Sequence, residues 1–222
     1  VSDAVLYDVR DAVAVVTVNR PDAMNAADAS VREGLRAAFE AAAEDADVRA
    51  VLVTGAGDRA FCVGQDLKEL LPLYESDDPD LGRIVTGFHE VITALAALEK
   101  PTVAAVNGAA AGAGASLAFA CDFRIASAKA SFTTAFAKIG LVPDSGSSWT
   151  LPRLVGAAKA LELFMLSEPV RADEALALGL VTSVAGEDVE GEALAFARRL
   201  AAGPTVAYGY LKRLIAASYG ST

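Results

Sequence analysis

The chain has 222 residues, 54% of them hydrophobic and 22% charged, with a formal net charge of −10. That length buries a substantial core in one domain, or one plus a small appendage, and the composition excludes wholesale disorder. The acidic balance excludes a track for nucleic-acid phosphates, which needs clustered Lys and Arg, but leaves room for an anionic small ligand held by a local basic pair.

The first residues, VSDAVLYDVRD, carry no basic stretch followed by an apolar one. No secretory signal is visible, and a soluble cytoplasmic protein is the default expectation. Residues 4–9 and 13–18 are β-rich runs separated by Arg10, Asp11 and Ala12, which reads as a hairpin. The spacing over 28–46 predicts a helix with Val31, Leu35, Ala38 and Phe39 on one face. Its Glu33, Glu40, Glu44 and Asp45 set aside an RNA-binding helix. Residues 49–54 predict a short apolar strand. Within 60–71, Gly64 and Gln65 read as a strand-to-helix turn, with Asp66 placed to cap the helix start. The acidic, Pro-containing stretch 75–80 reads as a mobile loop and a lid edge. Residues 81–98 predict a helix with Ile84, Phe88, Val91, Ile92 and Leu95 on one stripe. His89 lies near that stripe, where a lone histidine reads as a partly buried, satisfied one.

Residues 103–122, VAAVNGAAAGAGASLAFACD, open with four small or β-branched apolar residues that read as a buried strand. Asn107 and Gly108 signal a turn, and Gly112 and Gly114 bracket the start of a helix through Leu117 and Phe119. No charge occurs from Thr102 to Cys121. A strand that enters a helix through small residues leaves backbone N–H groups aimed at one spot, where a negative oxygen is favoured. The same pattern also reads as simple close packing. A membrane span is set aside, because Ala and Gly dominate and Asn107 and Gly108 interrupt the run. Cys62 and Cys121 read as buried thiols in a reducing compartment. With one histidine in the chain, a zinc site has little to be built from, and no metal is expected.

Residues 123–126 predict a strand, and 135–146, AFAKIGLVPDSG, a loop carrying Asp144 behind Pro143. Residues 149–155, 157–166 and 172–178 read as helical, 180–184 as a strand, and 191–202 as a helix. Gly203 and Pro204 open a last helix, with Pro in the tolerated first turn. The alternation of strands and helices sets the class as α/β. A nucleotide-binding glycine pattern fails, since no third glycine follows Gly112 and Gly114.

Five segments occur in a recognisable order: NRPDAMNA (19–26), AFCVGQDL (60–67), KPTVAAVNGAAAGAGASLAFACDFRIAS (100–127), FAKIGLVPDSGSSWTLPRLVG (136–156) and RADEALALGLVTSV (171–184). Together they resemble the crotonase family, the enoyl-CoA hydratase/isomerase superfamily, and the pattern KIGLVPD is closest to phenylacetate-pathway-type enoyl-CoA isomerases. The resemblance implies a crotonase-type spiral of ββα units followed by C-terminal helices, with the C-terminal part short. It divides the chain into a core for acyl-CoA binding and catalysis over 1–190 and a helical segment over 191–222. It further implies homotrimers or dimers of trimers, and an acyl-CoA thioester as substrate. No separate cofactor is implied, coenzyme A being part of that substrate, and neither nucleic acid nor membrane is expected as a partner.

In the family, two backbone N–H groups hold the thioester oxygen; carried over, these fall on Gln65 and Ala113. Ala23, Ala60, Gly64, Asp66 and Leu67 match positions lining the coenzyme A arm, and Gly112 and Phe136 belong to the same substrate-binding set. Hydratases of the family place two glutamates where this chain has Ser116 and Phe136, and neither residue transfers a proton at neutral pH. Asp144 matches the acidic residue of the isomerases. One carboxylate beside a polarised thioester can take a proton from one carbon and return it to another, which moves a double bond through an enolate. Burial among Leu141, Val142 and Pro143 is expected to raise its pKa; a helix cap near Ser145 is the competing reading of the same residue. The superfamily's aromatic dehalogenases use a histidine at the spacing of His89 with an aspartate at the position of Asp144, so a dehalogenase-like or hydrolytic enzyme is one alternative. A hydratase-like protein or a non-catalytic acyl-CoA-binding paralogue is the other.

Overall fold

The computed structural model describes residues 3–75, 81–218 and 220. Strands β1 (Val5–Arg10) and β2 (Val13–Val18) pair antiparallel. Between them Asp11 and Ala12 take φ of 52° and 63°, the left-handed pair whose twist suits a two-residue hairpin. Helix α1 (Ala29–Glu44) begins where the Asp28 carboxylate accepts the Val31 N–H at 3.1 Å, a cap that satisfies one first-turn donor. Its face of Val31, Leu35, Ala38 and Phe39 is buried, as the spacing predicts.

The chain continues through β3 (Ala50–Gly55), β4 (Ala60–Cys62), α2 (Leu67–Tyr74), α3 (Gly82–Ala97), β5 (Thr102–Val106), β6 (Ala109–Ala111), α4 (Ala113–Ala120), β7 (Phe123–Ser127) and β8 (Ser131–Thr133). After a loop come α5 (Ser147–Val155), α6 (Ala157–Leu166), β9 (Val170–Arg171), α7 (Ala172–Ala177), β10 (Ser183–Ala185), α8 (Val189–Ala201) and α9 (Thr205–Ser218). Among the described residues the strands form two sheets, in the orders β1-β2-β3-β5-β7-β10 and β4-β6-β8-β9. This arrangement of mostly parallel strands with helices between them is the α/β class expected from the sequence.

The strands β3 and β5 read as near-continuous apolar runs because both faces of their sheet are covered. Val51, Val53, Ala104 and Val106 face one core together with α1, α3 and α4. Ala50, Leu52, Val103 and Ala105 face a second core, filled by Ala193, Leu194, Ala197 and Ala201 of α8. Arg49 ties the end of α8 to the sheet, donating to the carbonyls of Ala201 at 2.6 Å and Gly203 at 2.7 Å. Helix α8 thus straddles residue 190 and packs as part of the core. Helix α4 is buried from Ala113 through Phe119, as an all-apolar helix must be.

Three features differ from the sequence reading. Strand β6 lies where the Ala/Gly run shows only a turn and a helix start; its pairing with β4 and β8 supplies what alanine's low strand propensity does not announce. The strand expected over 180–184 is shifted to Ser183–Ala185. The N–H groups of Leu180 and Val181 close helix α7 onto the Ala175 carbonyl, at 2.8 and 3.3 Å, so the ladder with β7 starts only at Ser183, opposite Ile125. Helix α5 begins at Ser147, two residues ahead of the expected start. Of the expected mobile loop over 75–80, residues 76–80 lie outside the described residues.

Cys62 and Cys121 are free and buried. Burial pushes their thiols up to about 11 and about 12, so neither is a thiolate at neutral pH. Among the described residues no helix is long and apolar enough to cross a membrane.

Candidate active site

Strands β4 and β6 run parallel, and their carboxyl ends deliver two turns side by side, Gly64–Gln65 before α2 and Gly112–Ala113 at α4. Gly64 has φ of 85°, and a Cβ on it would stand 2.8 Å from the Ala111 carbonyl oxygen and 3.1 Å from the Ala113 nitrogen. A Cβ on Gly114 would overlap the carbonyl of Cys62. These glycines let one backbone lie directly on the other.

The outcome, among the described residues, is a pair of N–H groups without protein acceptors. Gln65 forms an isolated parallel bridge with Ala27, in which the Ala27 N–H donates to the Gly64 carbonyl at 2.7 Å and the Asp66 N–H donates to the Ala27 carbonyl at 3.0 Å. In such a bridge the flanking residues make the bonds, so the N–H of Gln65 itself points away from Ala27. Ala113 opens α4, where an N–H has no partner within the helix, and Gly112 offers no side-chain cap. Among the described residues neither N–H meets a protein oxygen. The two donors belong to adjoining turns, and the dipole of α4 favours negative charge at Ala113.

The residues around these turns are held by polar contacts. Asp66 is buried; one carboxylate oxygen accepts the Lys68 N–H at 2.9 Å, and the other pairs with Arg20 at 2.9 Å. The Ala60 carbonyl takes bonds from the amides of Asn25 at 2.7 Å and Asn107 at 3.2 Å. Ala23 sits in the short 3-10 turn Pro21–Ala23, and its carbonyl accepts the Ala26 N–H at 3.0 Å, next to the bridging Ala27. Leu67 is exposed. The structure therefore gathers Ala23, Ala60, Gly64, Gln65, Asp66, Leu67, Gly112 and Ala113 in one neighbourhood.

Sequence reasoning missed what anchors the Gln65 side chain. Arg32 of α1 is buried and donates to Gln65 Oε1 at 2.9 Å and to both oxygens of Glu69 at 2.8 and 2.9 Å. The Gln65 amide donates to Glu69 as well, at 2.6 Å. Burial pushes the Glu69 carboxyl up, but the bonds from Arg32 and Gln65 win and hold it below the usual range. The signal is faint in sequence: Gln65 and Glu69 stand one helical turn apart, but nothing ties them to Arg32.

Asp144 lies in the loop before α5. Its carboxylate is half-buried, and burial raises its pKa against an opposing hydrogen bond from the Ser145 hydroxyl, 2.8 Å from Oδ1. The direction and its cause, burial, match the expectation; two of the expected apolar neighbours are themselves exposed. Leu141 is 38% exposed and Val142 80%, so the apolar stretch ahead of Asp144 does not shield it. Ser145 and Ser147, which follow it, are buried. Nor does the carboxylate cap α5. The Asp144 carbonyl accepts from the Ser147 N–H at 3.0 Å and the Ser147 hydroxyl at 2.8 Å, while the N-cap position is Gly146.

Phe136 is buried, as is Ser116, whose hydroxyl donates back to the Gly112 carbonyl at 3.1 Å. Neither brings a carboxylate to the site. His89 is exposed on α3, not partly buried; it projects beside the buried stripe of Ile84, Phe88, Val91 and Leu95. It precedes Ile92 by one turn, and Ile92 Cγ2 would stand 3.2 Å from a Cβ on Gly146. Helix α5 packs in turn on α4, so the loop of Asp144 leads into a helix that touches the helix of Ala113. Among the described residues no group of three or more His, Cys, Asp or Glu is placed to hold a metal ion.

The family model described as enoyl-CoA hydratase/isomerase matches residues 8–222. The chain belongs to this family of the crotonase superfamily. It is 38% identical over 213 residues to the 1,2-epoxyphenylacetyl-CoA isomerase of Escherichia coli, covering 95% of this chain and 81% of that one. It is also 38% identical over 180 residues to the short-chain-enoyl-CoA hydratase of Clostridium acetobutylicum, covering 81% of this chain and 68% of that one. A solved structure from Pseudomonas aeruginosa superposes with a TM-score of 0.92 at 41% identity, covering 99% of this chain and 94% of that one.

Proposed function

We propose that this chain isomerises an unsaturated acyl-CoA through a thioester enolate, with Asp144 as the acid/base. The N–H groups of Gln65 and Ala113 would donate to the thioester oxygen, whose charge grows as the α-proton leaves. Donors already in place cost no reorganisation at that moment, and such a donor typically contributes about 3–4 kcal/mol. Asp144 would take the proton from one carbon and return it to another. A carboxyl whose pKa is raised by burial is a better base than an exposed one. Ala23, Ala60, Gly64, Asp66, Leu67, Gly112 and Phe136 would bind the thioester and its coenzyme A arm. No further cofactor enters this scheme. An assembly of three or six chains belongs to the same proposal, and the exposed Leu161, Met165 and Leu166 of α6 offer apolar surface for it.

The observation that carries the reading is the half-buried carboxylate at Asp144, its pKa raised by burial, set against the buried Ser116 and Phe136 where hydration would need acids. The test is Asp144→Asn, assayed with 2- and 3-enoyl-CoA thioesters for double-bond migration and α-proton exchange in D2O. Turnover should fall by about 10²–10⁴-fold with thioester binding retained. Full isomerase activity in the variant would sink the assignment. Label from H₂18O found in Asp144 after one turnover would replace it with the hydrolytic alternative, in which Asp144 attacks and His89 serves as base.

A further inference from the structure

The residue after Asp144 is out of place by backbone criteria. Ser145 takes φ of 51° and Gly146 takes φ of 71°, two consecutive left-handed residues ahead of α5. Glycine adopts that region freely, whereas a serine is strained there. Strain of this kind persists only where the surroundings hold it. They do here: the Asp144 carbonyl is bound twice by Ser147, and Gly146 seats the loop against Ile92 of α3. The Ser145 side chain is also buried, at 5% exposure, and its hydroxyl donates to Asp144 Oδ1 at 2.8 Å.

We propose that Ser145 is a positioning residue, which ties down Oδ1 of Asp144 and leaves Oδ2 as the atom that exchanges a proton with the thioester. The inference rests on the acid/base reading of Asp144 given above. A carboxylate that must pick up a proton and hand it back needs one oxygen free and the group held against rotation. One hydroxyl donating to one oxygen does both, and Oδ2 has no protein partner among the described residues. The bond also stabilises the charged form, limiting how basic burial makes the group. Charged groups on the surrounding elements do not take over this task. On the loop and α5 these are Lys138, exposed, and Arg153, stacked over Trp149 at 4.0 Å. On α3 they are Arg83, His89 and Glu90, all exposed, and on α6 Lys159 and Glu162 pair with each other at 2.7 Å. Helix α4 has no titratable side chain in Ala113–Ala120.

Two substitutions in the full chain separate the hydroxyl from the backbone. Ser145→Gly removes the hydroxyl and relieves the left-handed strain, so its melting temperature should not fall; Ser145→Ala removes the hydroxyl and keeps the strain. The Asp144 titration is read by ¹³C-carboxyl NMR without substrate, and kcat and KM with 2- and 3-hexenoyl-CoA. In both variants the Asp144 midpoint should rise by about one pH unit, kcat should drop about tenfold, and KM should stay within about twofold. An unchanged midpoint or an unchanged kcat in Ser145→Gly overturns the proposal. So does loss in Ser145→Ala that Ser145→Gly restores, because that pattern belongs to packing alone. Asp144→Asn with full turnover would instead overturn the acid/base reading, and an inactive Asp144→Asn beside an unaffected Ser145→Gly would overturn this inference only.

Discussion

Two turns each open a helix in this molecule, and they are built on opposite principles. The Gly112–Ala113 turn is uncharged and leads into a helix buried from Ala113 through Phe119; what it offers is a backbone N–H, fixed by contact with Gly64 and Cys62. The Asp144–Ser145 turn follows the exposed Leu141 and Val142, and what it offers is a carboxylate on a strained, hydrogen-bonded loop. The first depends on shape and tolerates any side chain that leaves the backbone in place. The second depends on one side chain and can be rewritten by changing it. A family whose members carry both hydratase and isomerase names has the structure such a division of labour would produce.

That contrast can be broken from either side. Beside the loss of turnover expected in Asp144→Asn, the largest effect is expected from Gly64→Ala. The added carbon meets the Ala111 carbonyl at 2.8 Å in a backbone already at φ of 85°, so the donor at Gln65 must move. Turnover of a 3-enoyl-CoA should fall by about 10²–10³-fold; activity within threefold of wild type would mean that the two turns do not share a ligand oxygen.

A smaller effect, of opposite sign for stability, is expected at Asp144. Burial raises its pKa in the folded state, so between the unfolded and folded pKa values the folded chain binds more protons and loses stability as pH rises. Asp144→Asn should therefore melt higher than wild type at pH 7, and the gain should vanish below the ordinary carboxylate range, where both forms are neutral. A lower melting temperature at pH 7 would show that the charged carboxylate is stabilising. The smallest effect is expected at Ala113→Ser, under about threefold in kcat/KM, because the backbone N–H stays in place. A loss beyond thirtyfold would mean that the methyl group itself contacts substrate.

Most of the framework was legible in the sequence, for physical reasons that can be named. Helices α1 and α3 announce themselves through apolar residues at helical spacing, and Asp28 marks where α1 starts. The parallel strands show as short apolar runs because helices cover both faces of their sheet. Both glycine turns were visible as punctuation. What stayed hidden depends on partners remote in the chain. Strand β6 exists because β4 and β8 flank it, and the 180–184 segment loses its first residues from the ladder to the carbonyl of Ala175. Arg32 is an ordinary helix residue until Gln65 and Glu69 are folded against it. Ser145 gives no sign in sequence that its backbone is left-handed.

The sequence by itself determined the family and the residue types open to chemistry: one carboxylate at Asp144, and Ser116 and Phe136 where acids would serve hydration. Those are covalent facts, unchanged by folding. Tertiary structure alone decided that Gly64 lies against Ala113, that among the described residues two N–H groups are left without protein acceptors, and that Asp144 is half-buried while His89 faces solvent. Hydrogen-bond vacancy and desolvation are properties of what a group's neighbours have claimed, and those neighbours arrive only when the chain closes on itself. The Gly/Ala stretch 103–122 could be read as packing or as a site; the fold shows the packing directly, and the close approach at Gly64 and Gly114 is what holds the Ala113 N–H in place.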